Sequence, residues 1–301
     1  PHVQSLSRAY RLADAGKPTT ARQNADTFHC ATILNMITIN VDPVAFSVGP
    51  FHVRWYGMMY LVGITVGLLV AWPFARSKGL TDSQLEKVVA YSIPAGFVGA
   101  RLYYVLQQPL GQYISEPWRI FAVWEGGMAF YGAIFAVLIV VLILSRRLHI
   151  SALKLLDVSA IFAVVGQFFG RIGNIINGDV IGYPTTLPWG MVYANPNSFP
   201  ASHSVAYQPA AVYEALLDVV LFAFLWRMRN RVQSGMLFFL YIMGYSLGQI
   251  VIFVWRDNEV ITLGLKQAQL TAMAVMVAAI AVFLWLRSRR QHQDGTTAGK
   301  G

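Results

Sequence analysis

A series of apolar stretches constrains the fold of this chain more than any other feature. About seven stretches, each roughly 20 residues long, carry few charged side chains, and this is the length that a helix needs to cross a lipid bilayer. Only 12% of the 301 residues are charged, whereas about 25% is usual in soluble proteins. The sequence therefore predicts an all-α polytopic membrane protein. The predicted spans are residues 55–74, 88–106, 121–144, 155–176, 212–226, 236–255 and 265–286.

Lysine and arginine are distributed unevenly among the connections between these spans. They are concentrated after the first, third, fifth and seventh spans and are scarce in the other connections. Because basic residues favour the cytoplasmic side of a membrane, the N-terminus is predicted to lie outside and the C-terminus in the cytoplasm. The connection 178–208 has no lysine or arginine and is rich in glycine, proline, serine and asparagine. We expect it to form a small extracytoplasmic head between the fourth and fifth spans.

The two ends of the chain differ from its apolar body. Residues 1–35 are polar, carry charges of both signs and lack the apolar core of a signal peptide. They are predicted to be a disordered leader without a role in function. Since Pro1 is not an initiating residue, we interpret the leader as a wrongly assigned start or a remnant of an upstream segment. Residues 36–290 are expected to form the transmembrane domain, and residues 291–301 a disordered cytoplasmic tail.

The formal net charge of +9 is compatible with a nucleic-acid partner. However, the basic residues lie in short connections and chain ends, which is how membrane orientation is encoded, and no nucleic-acid-binding motif is present. We therefore expect no nucleic-acid partner. The single cysteine, Cys30, excludes an intramolecular disulfide and a cysteine-rich metal site. The histidines lack the spacing of metal ligands, so the sequence predicts no metal site.

The fourth span ends in a polar segment, GRIGNIINGDVIG, which begins at Gly170. Arg171 lies about 15 residues into an apolar run, where a charged side chain is costly unless it is functional or paired. If the helix continues, Arg171, Asn174 and Asn177 lie along one stripe, because residues three apart share a face. A guanidinium and two amides there offer donors to an anionic group. The alternative is that Gly170 and Gly173 permit close helix packing and the polar side chains tie helices together.

This segment resembles the signature of bacterial prolipoprotein diacylglyceryl transferases, which reads approximately G-R-x-G-N-F-x-N-G-E-x-x-G. Ile175 stands where the family usually has phenylalanine, and Asp179 stands where it usually has glutamate. Further similarities extend the resemblance from about residue 42 to residue 286. They lie in the segments 46–50, 54–60, 99–106, 124–132, 207–214, 244–245 and 256–257.

The resemblance implies transfer of the diacylglyceryl group of phosphatidylglycerol to the thiol of a lipobox cysteine. The products would be a thioether and glycerol phosphate. The implied partners are phosphatidylglycerol, prolipoprotein signal peptides and membrane lipids, and no cofactor is implied. The implied location is the bacterial cytoplasmic (inner) membrane, with the active site facing the outer leaflet.

The resemblance also implies the residues of the site. The expected catalytic residues are Arg171, Arg256, Tyr131 and Tyr56. The expected phosphatidylglycerol-binding residues are Arg171, Asn174, Asn177, Asp179, Gly182, Arg101 and Glu125. Two alternatives remain open. Tyr56 would also fit a belt of aromatic residues at the membrane interface. The position of Arg101 would also be explained by a side chain that extends along the helix to the membrane surface.

Tyr131 is the most important departure from the family pattern, because many members have a histidine there. A tyrosine has a pKa of about 10 and is a poor base near neutral pH, unlike histidine. Tyr131 is therefore predicted to act as a hydrogen-bond partner. Glu125 becomes a candidate base, although the role of counter-ion to a membrane arginine is favoured for it. Other departures are Gln208 in place of a histidine, Gln249 in place of an arginine and Phe253 in place of a glutamate.

Two other classes of function compete with catalysis. In an anion or lipid transporter, Arg171 and Arg256 would select the substrate that crosses the membrane. Transport requires polar groups that can be reached from both faces, and the inner halves of the predicted spans are apolar. A lipid-binding scaffold without chemistry is compatible with the sequence, and the missing histidine favours it.

Overall fold

The computed structural model describes residues 36–49, 51–123, 127–200 and 202–298. The predicted leader, residues 1–35, lies outside the described residues, as do the last three residues of the predicted tail. Within the described residues, the chain forms eight α-helices and one short 3-10 helix, Pro117–Phe121. The helices are α1 Trp55–Ser77, α2 Asp82–Gln107, α3 Gly111–Ser115, α4 Phe130–Arg147, α5 Ala152–Asn177, α6 Ala210–Met228, α7 Met236–Ile252 and α8 Gln267–Ala298.

The chain is a mostly helical membrane protein, as predicted. Four helical segments are long and apolar enough to cross a membrane: α1, α2, α5 and the part of α8 from Gln267–Trp285. Helix α7 is a shorter apolar helix. The predicted third span begins later than expected: the described residues 117–121 form the 3-10 helix, and Gly127, shortly before Phe130, has a φ of 81°. This left-handed backbone favours glycine and cannot continue an α-helix.

The prediction of an all-α protein needs one correction, because the described residues also contain seven short strands. They are β1 Ile37–Ile39, β2 Val44–Val48, β3 Phe51–Arg54, β4 Met191–Tyr193, β5 Ala206–Tyr207, β6 Val260–Thr262 and β7 Leu265–Lys266. Strand β4 pairs in parallel with β1 and antiparallel with β5, whereas β2–β3 and β6–β7 are antiparallel pairs. All strands except β7, which takes up the first two residues of the predicted span 265–286, lie outside the apolar runs. Backbone groups there can pair with one another or with water.

Small residues set the close approach of the helices. A side chain at Gly63 of α1 would begin 3.1 Å from the carbonyl oxygen of Gly166 in α5, so α1 and α5 touch through their backbones. Helices α2 and α4 meet in the same way, because a Cβ atom on Gly99 would lie 2.5 Å from the carbonyl oxygen of Gly132. Such contacts are typical of helices that associate within a membrane.

Asp157 fixes the position of α7 relative to α5. Its carboxylate is buried and accepts hydrogen bonds from the backbone N–H groups of Gly235, at 2.8 Å, and Phe238, at 3.0 Å. These are N–H groups at the start of α7 that have no partner within the helix. The negative charge also favours the helix N-terminus. Because α5 and α7 are joined at this end, Arg171 near the other end of α5 lies beside Tyr245 of α7.

Candidate functional site

Arg171 lies near the C-terminal end of α5 and contacts side chains from three helices. Its Nη2 atom lies 2.5 Å from Oε2 of Glu214 in α6 and donates to the hydroxyl of Tyr245 in α7 at 3.2 Å. Its Nη1 atom donates to Oδ1 of Asn174, one turn further along α5, at 3.3 Å. The guanidinium is therefore held from several sides at once and has little freedom to move.

Arg256 binds the other oxygen of the same carboxylate. Its Nη1 atom lies 3.1 Å from Oε1 of Glu214, whose side chain is only 1% exposed. We refer to Arg171, Glu214 and Arg256 as the arginine–glutamate triad. Glu214 compensates only one of the two positive charges that it contacts. The Nε atom of Arg256 is also buried and has no hydrogen-bond partner. The triad therefore has a hydrogen-bond donor without a partner, Nε of Arg256, and a net positive charge. Both favour the binding of an anionic group.

The polar stripe of α5 continues from the triad towards the connection 178–208. Asn174 donates through Nδ2 to both carboxylate oxygens of Asp179, at 3.1 and 3.2 Å. Gly178 makes this contact feasible, because its φ of 75° ends the helix and its N–H donates to the carbonyl of Asn174. Asn177 accepts a hydrogen bond from Arg54, at the end of β3, at 3.3 Å. Asn174 therefore links Arg171 to Asp179, while Asn177 ties α5 to the entrance of α1.

Gly182 positions Arg256 through the backbone. The two residues form an isolated antiparallel bridge, and the neighbouring N–H of Tyr183 donates to the carbonyl of Trp255 at 3.0 Å. A Cβ atom at Gly182 would lie 2.6 Å from Cβ of Gln208 and even closer to the carbonyl oxygen of Trp255. Only glycine fits this crossing. Within the structure, the contribution of Gly182 to the site is the placement of Arg256.

Tyr56 lies in the first turn of α1, against the polar stripe of α5. A Cβ atom on Gly173 would lie 3.0 Å from Cα of Tyr56, so the tyrosine backbone packs directly on α5 beside Asn174. The Tyr56 hydroxyl is hydrogen bonded to that of Tyr60 at 2.9 Å. In the connection 178–208, burial raises the pKa of Tyr193 well above its ordinary value and keeps the phenol neutral.

Arg101 lies near the C-terminal end of α2 and holds the segment between α2 and α4. Its guanidinium donates to the carbonyls of Arg119 at 2.5 Å, Ile120 at 2.8 Å and Gly127 at 3.0 Å. Its side chain is buried, which is consistent with a fixed position rather than extension to the membrane surface. Tyr131 belongs to the first turn of α4, but its side chain lies outside the described residues, as does Glu125.

Two residues of the site were not predicted from the sequence. Glu214 and Tyr245 both contact Arg171, and the signal for them was their position in segments that resemble the family. Asp218 lies one turn beyond Glu214, is 1% exposed, and neither of its carboxylate oxygens accepts a hydrogen bond. Among the residues that the structure describes, no group of three or more His, Cys, Asp or Glu side chains is placed to hold a metal ion.

Comparisons with known proteins identify relatives that match most of this chain. The model of the family described as prolipoprotein diacylglyceryl transferase matches residues 43–285. A protein of Nitrosomonas europaea is 34% identical over 254 residues, which cover 81% of this chain and 89% of that protein. One from Bordetella avium is 33% identical over 261 residues, 84% of this chain and 97% of that protein.

A third relative, from Nitratidesulfovibrio vulgaris, is 41% identical over 198 residues, 64% of this chain and 71% of that protein. All three are named phosphatidylglycerol–prolipoprotein diacylglyceryl transferase. The family match covers most of the chain and includes the arginine–glutamate triad. This chain is therefore a member of the prolipoprotein diacylglyceryl transferase family.

Proposed function

We propose that this protein transfers the diacylglyceryl group of phosphatidylglycerol to the thiol of a lipobox cysteine in a prolipoprotein, the first step of lipoprotein maturation. The observation that carries the proposal is the convergence of Arg171 and Arg256 on Glu214, within a member of a family whose relatives are named for this reaction. Such a site suits a phosphate ester, because fixed guanidinium groups bind phosphate oxygens strongly where water is scarce.

The proposed reaction breaks the bond between the glycerol carbon of the diacylglyceryl group and the phosphate oxygen. The electron pair of that bond stays with the phosphate, which leaves as glycerol phosphate, while the cysteine sulfur forms the new bond to carbon. Negative charge thus develops on the leaving phosphate. Arg171 and Arg256 are proposed to stabilise this charge, and their contacts with Glu214 hold them in place before the reaction begins.

The nucleophile arrives with the prolipoprotein. The only cysteine of the chain is Cys30, outside the apolar body, so the body supplies no thiol for an enzyme-bound thioester. The substrate thiol, with an ordinary pKa of about 8.5, has to lose its proton in order to react. Tyr131 is proposed to orient the substrate by hydrogen bonding. Glu125, the lipid phosphate and water are the candidate proton acceptors.

The remaining predicted site residues are proposed to complete the phosphate environment. Asn174 and Asp179 adjoin Arg171 through the polar stripe, and Asn177 and Tyr56 lie further along the same side of α5. Arg101 is proposed to support the site from α2, since it orders the segment that leads to Tyr131.

We further propose seven membrane crossings, with the N-terminus and the extracytoplasmic head, residues 178–208, outside the cytoplasm. Contacts between basic connections support this topology. Lys78, which follows α1, donates to the carbonyl of Arg229 after α6 at 2.7 Å, and Lys154 at the start of α5 donates to the carbonyl of Lys78 at 2.8 Å. The basic connections therefore meet at one end of the bundle. Arg256 pairs with Gly182 of the head at the other end, which favours an active site in the outer leaflet.

The proposal is tested with purified protein in vesicles that contain phosphatidylglycerol and a synthetic lipobox peptide. Mass spectrometry of the peptide should show the gain of one diacylglyceryl group on cysteine. A peptide with serine in place of cysteine is the matched control and should gain nothing. If the cysteine peptide keeps its mass while the protein still binds phosphatidylglycerol, the chain is a lipid-binding scaffold rather than a transferase.

A further inference from the structure

Lys266 is a buried lysine beside the second arginine of the site. It ends strand β7, immediately before α8, and its side chain is 4% exposed. Its ammonium group donates to the carbonyl of Phe253 at 2.6 Å and to the carbonyl of Arg256 itself. The ammonium also lies 4.7 Å from the centre of the Tyr183 ring. Within the part of the chain that the structure describes, no carboxylate forms an ion pair with Lys266.

The position of this ammonium group has a clear electrostatic basis. Phe253 and Arg256 follow the end of α7, where carbonyl groups have no partner within the helix and the helix dipole is negative. Gln269 reinforces the junction, because it accepts from the N–H of Lys266 at 3.0 Å and donates to the carbonyl of Ile250 at 2.9 Å. The start of α8 therefore holds the last turn of α7 and the residues that follow it.

The head holds the same residues from the other side. The N–H of Tyr183 donates to the carbonyl of Trp255 at 3.0 Å, and the N–H of Asp257 donates to the carbonyl of Ile181 at 3.3 Å. The backbone of Arg256 thus lies between the head segment and Lys266. The side chain of Arg256 then extends from a backbone fixed on both sides to the carboxylate of Glu214.

We propose that Lys266 is a positioning residue for transfer, which acts by fixing the backbone of Arg256 so that its guanidinium meets the leaving phosphate in the correct place. This inference rests on the proposed function, because it assigns Lys266 a part in that reaction. Lys266 acts through Arg256 and does not itself contact the reacting atoms. A misplacement of about 1 Å at a catalytic group can reduce the rate about 100-fold.

The test compares Lys266→Met and Lys266→Gln with wild type in the transfer assay. Glutamine retains N–H donors for a carbonyl but lacks the charge and is shorter, so it supplies a variant that preserves part of the contact. We expect kcat to fall about 10- to 100-fold in Lys266→Met, less in Lys266→Gln, with KM for phosphatidylglycerol within about threefold of wild type. Lys154→Met is the matched control, because Lys154 also donates to a backbone carbonyl, at the opposite end of the bundle, and its kcat should not change.

A double-variant cycle separates positioning from a purely structural role. If Lys266 acts through Arg256, adding Lys266→Met to Arg256→Gln should lower kcat little further, because the guanidinium is already absent. The thermal stability losses should instead add, since the carbonyl of residue 256 remains in both backgrounds. An unchanged kcat in Lys266→Met, or losses of kcat that multiply fully in the double variant, would overturn the inference. A wild-type protein that transfers nothing would refute the proposed function instead.

Discussion

Arg171 lies 2.5 Å from the carboxylate of Glu214, in a contact that joins α5 to α6 within the apolar body. Because Glu214 also binds Arg256, removal of its charge would leave two largely buried guanidinium groups without their shared counter-ion. Breaking a buried ion pair in this way costs about 3–5 kcal/mol. We therefore expect Glu214→Gln to lower the thermal stability of the detergent-solubilised protein strongly.

Asp218 supplies the matched control for Glu214→Gln. It lies one turn further along α6 and is equally buried, but its carboxylate oxygens accept no hydrogen bond. Asp218→Asn should leave the unfolding temperature unchanged or raise it, because no specific contact is broken. Equal losses in the two variants would contradict the view that the contacts of Glu214 with the arginines stabilise the fold.

Arg171→Lys should reduce transfer strongly, even though the substitution retains the positive charge. Arginine contacts Glu214, Tyr245 and Asn174 through two separate nitrogens, whereas lysine has a single nitrogen and no planar fork. We expect kcat/KM to fall about 100-fold or more, in line with the loss of a donor aimed at developing charge. Arg76→Lys, at an exposed pair with Asp82, should remain close to wild type. Near-normal turnover in Arg171→Lys would show that the site needs only a positive charge at this position and not the geometry of a guanidinium group.

Gly182→Ala should impair transfer by displacing Arg256. The added methyl group would lie too close to Cβ of Gln208 and to the carbonyl oxygen of Trp255, and the backbones of these residues flank Gly182. The expected result is a loss of kcat with a reduced unfolding temperature. Gly166→Ala in α5 is the control, because a methyl group there meets no atom within 4 Å. If both alanine variants retain full activity, the close approach at Gly182 has no part in placing Arg256.

Tyr131 is tested by removal of its hydroxyl group alone. If the hydroxyl orients the substrate, Tyr131→Phe should slow transfer about 100- to 1000-fold while the protein still inserts into the membrane. Tyr131→His should be tolerated, because histidine is the residue that the family resemblance implies at this position, and should shift the pH optimum towards neutral. Rates for Tyr131→Phe that match wild type across pH would make Tyr131 a packing residue. Glu125, the lipid phosphate or water would then have to accept the proton of the substrate thiol.

The local part of the site follows from sequence spacing, whereas its long-range part does not. Residues three apart share a helix face, which is why Arg171 and Asn174 were expected together and are hydrogen bonded in the structure. Glu214 meets Arg171 only because α5 packs against α6, and no periodicity within either helix encodes that contact. The apolar runs likewise predict the long helices. The pairing of Ile37 with Met191 depends on tertiary contact between segments too short for a pattern.

Transfer of the diacylglyceryl group is tested most directly by following the two halves of phosphatidylglycerol with isotopic labels. One lipid carries deuterium in the diacylglyceryl group, and the other carries it in the headgroup glycerol. We expect the first label to appear on the cysteine of the lipobox peptide and the second to be released as glycerol phosphate, with both processes strongly reduced in Arg171→Lys. Label that crosses the vesicle membrane within intact lipid, with no label on the peptide, would contradict the account.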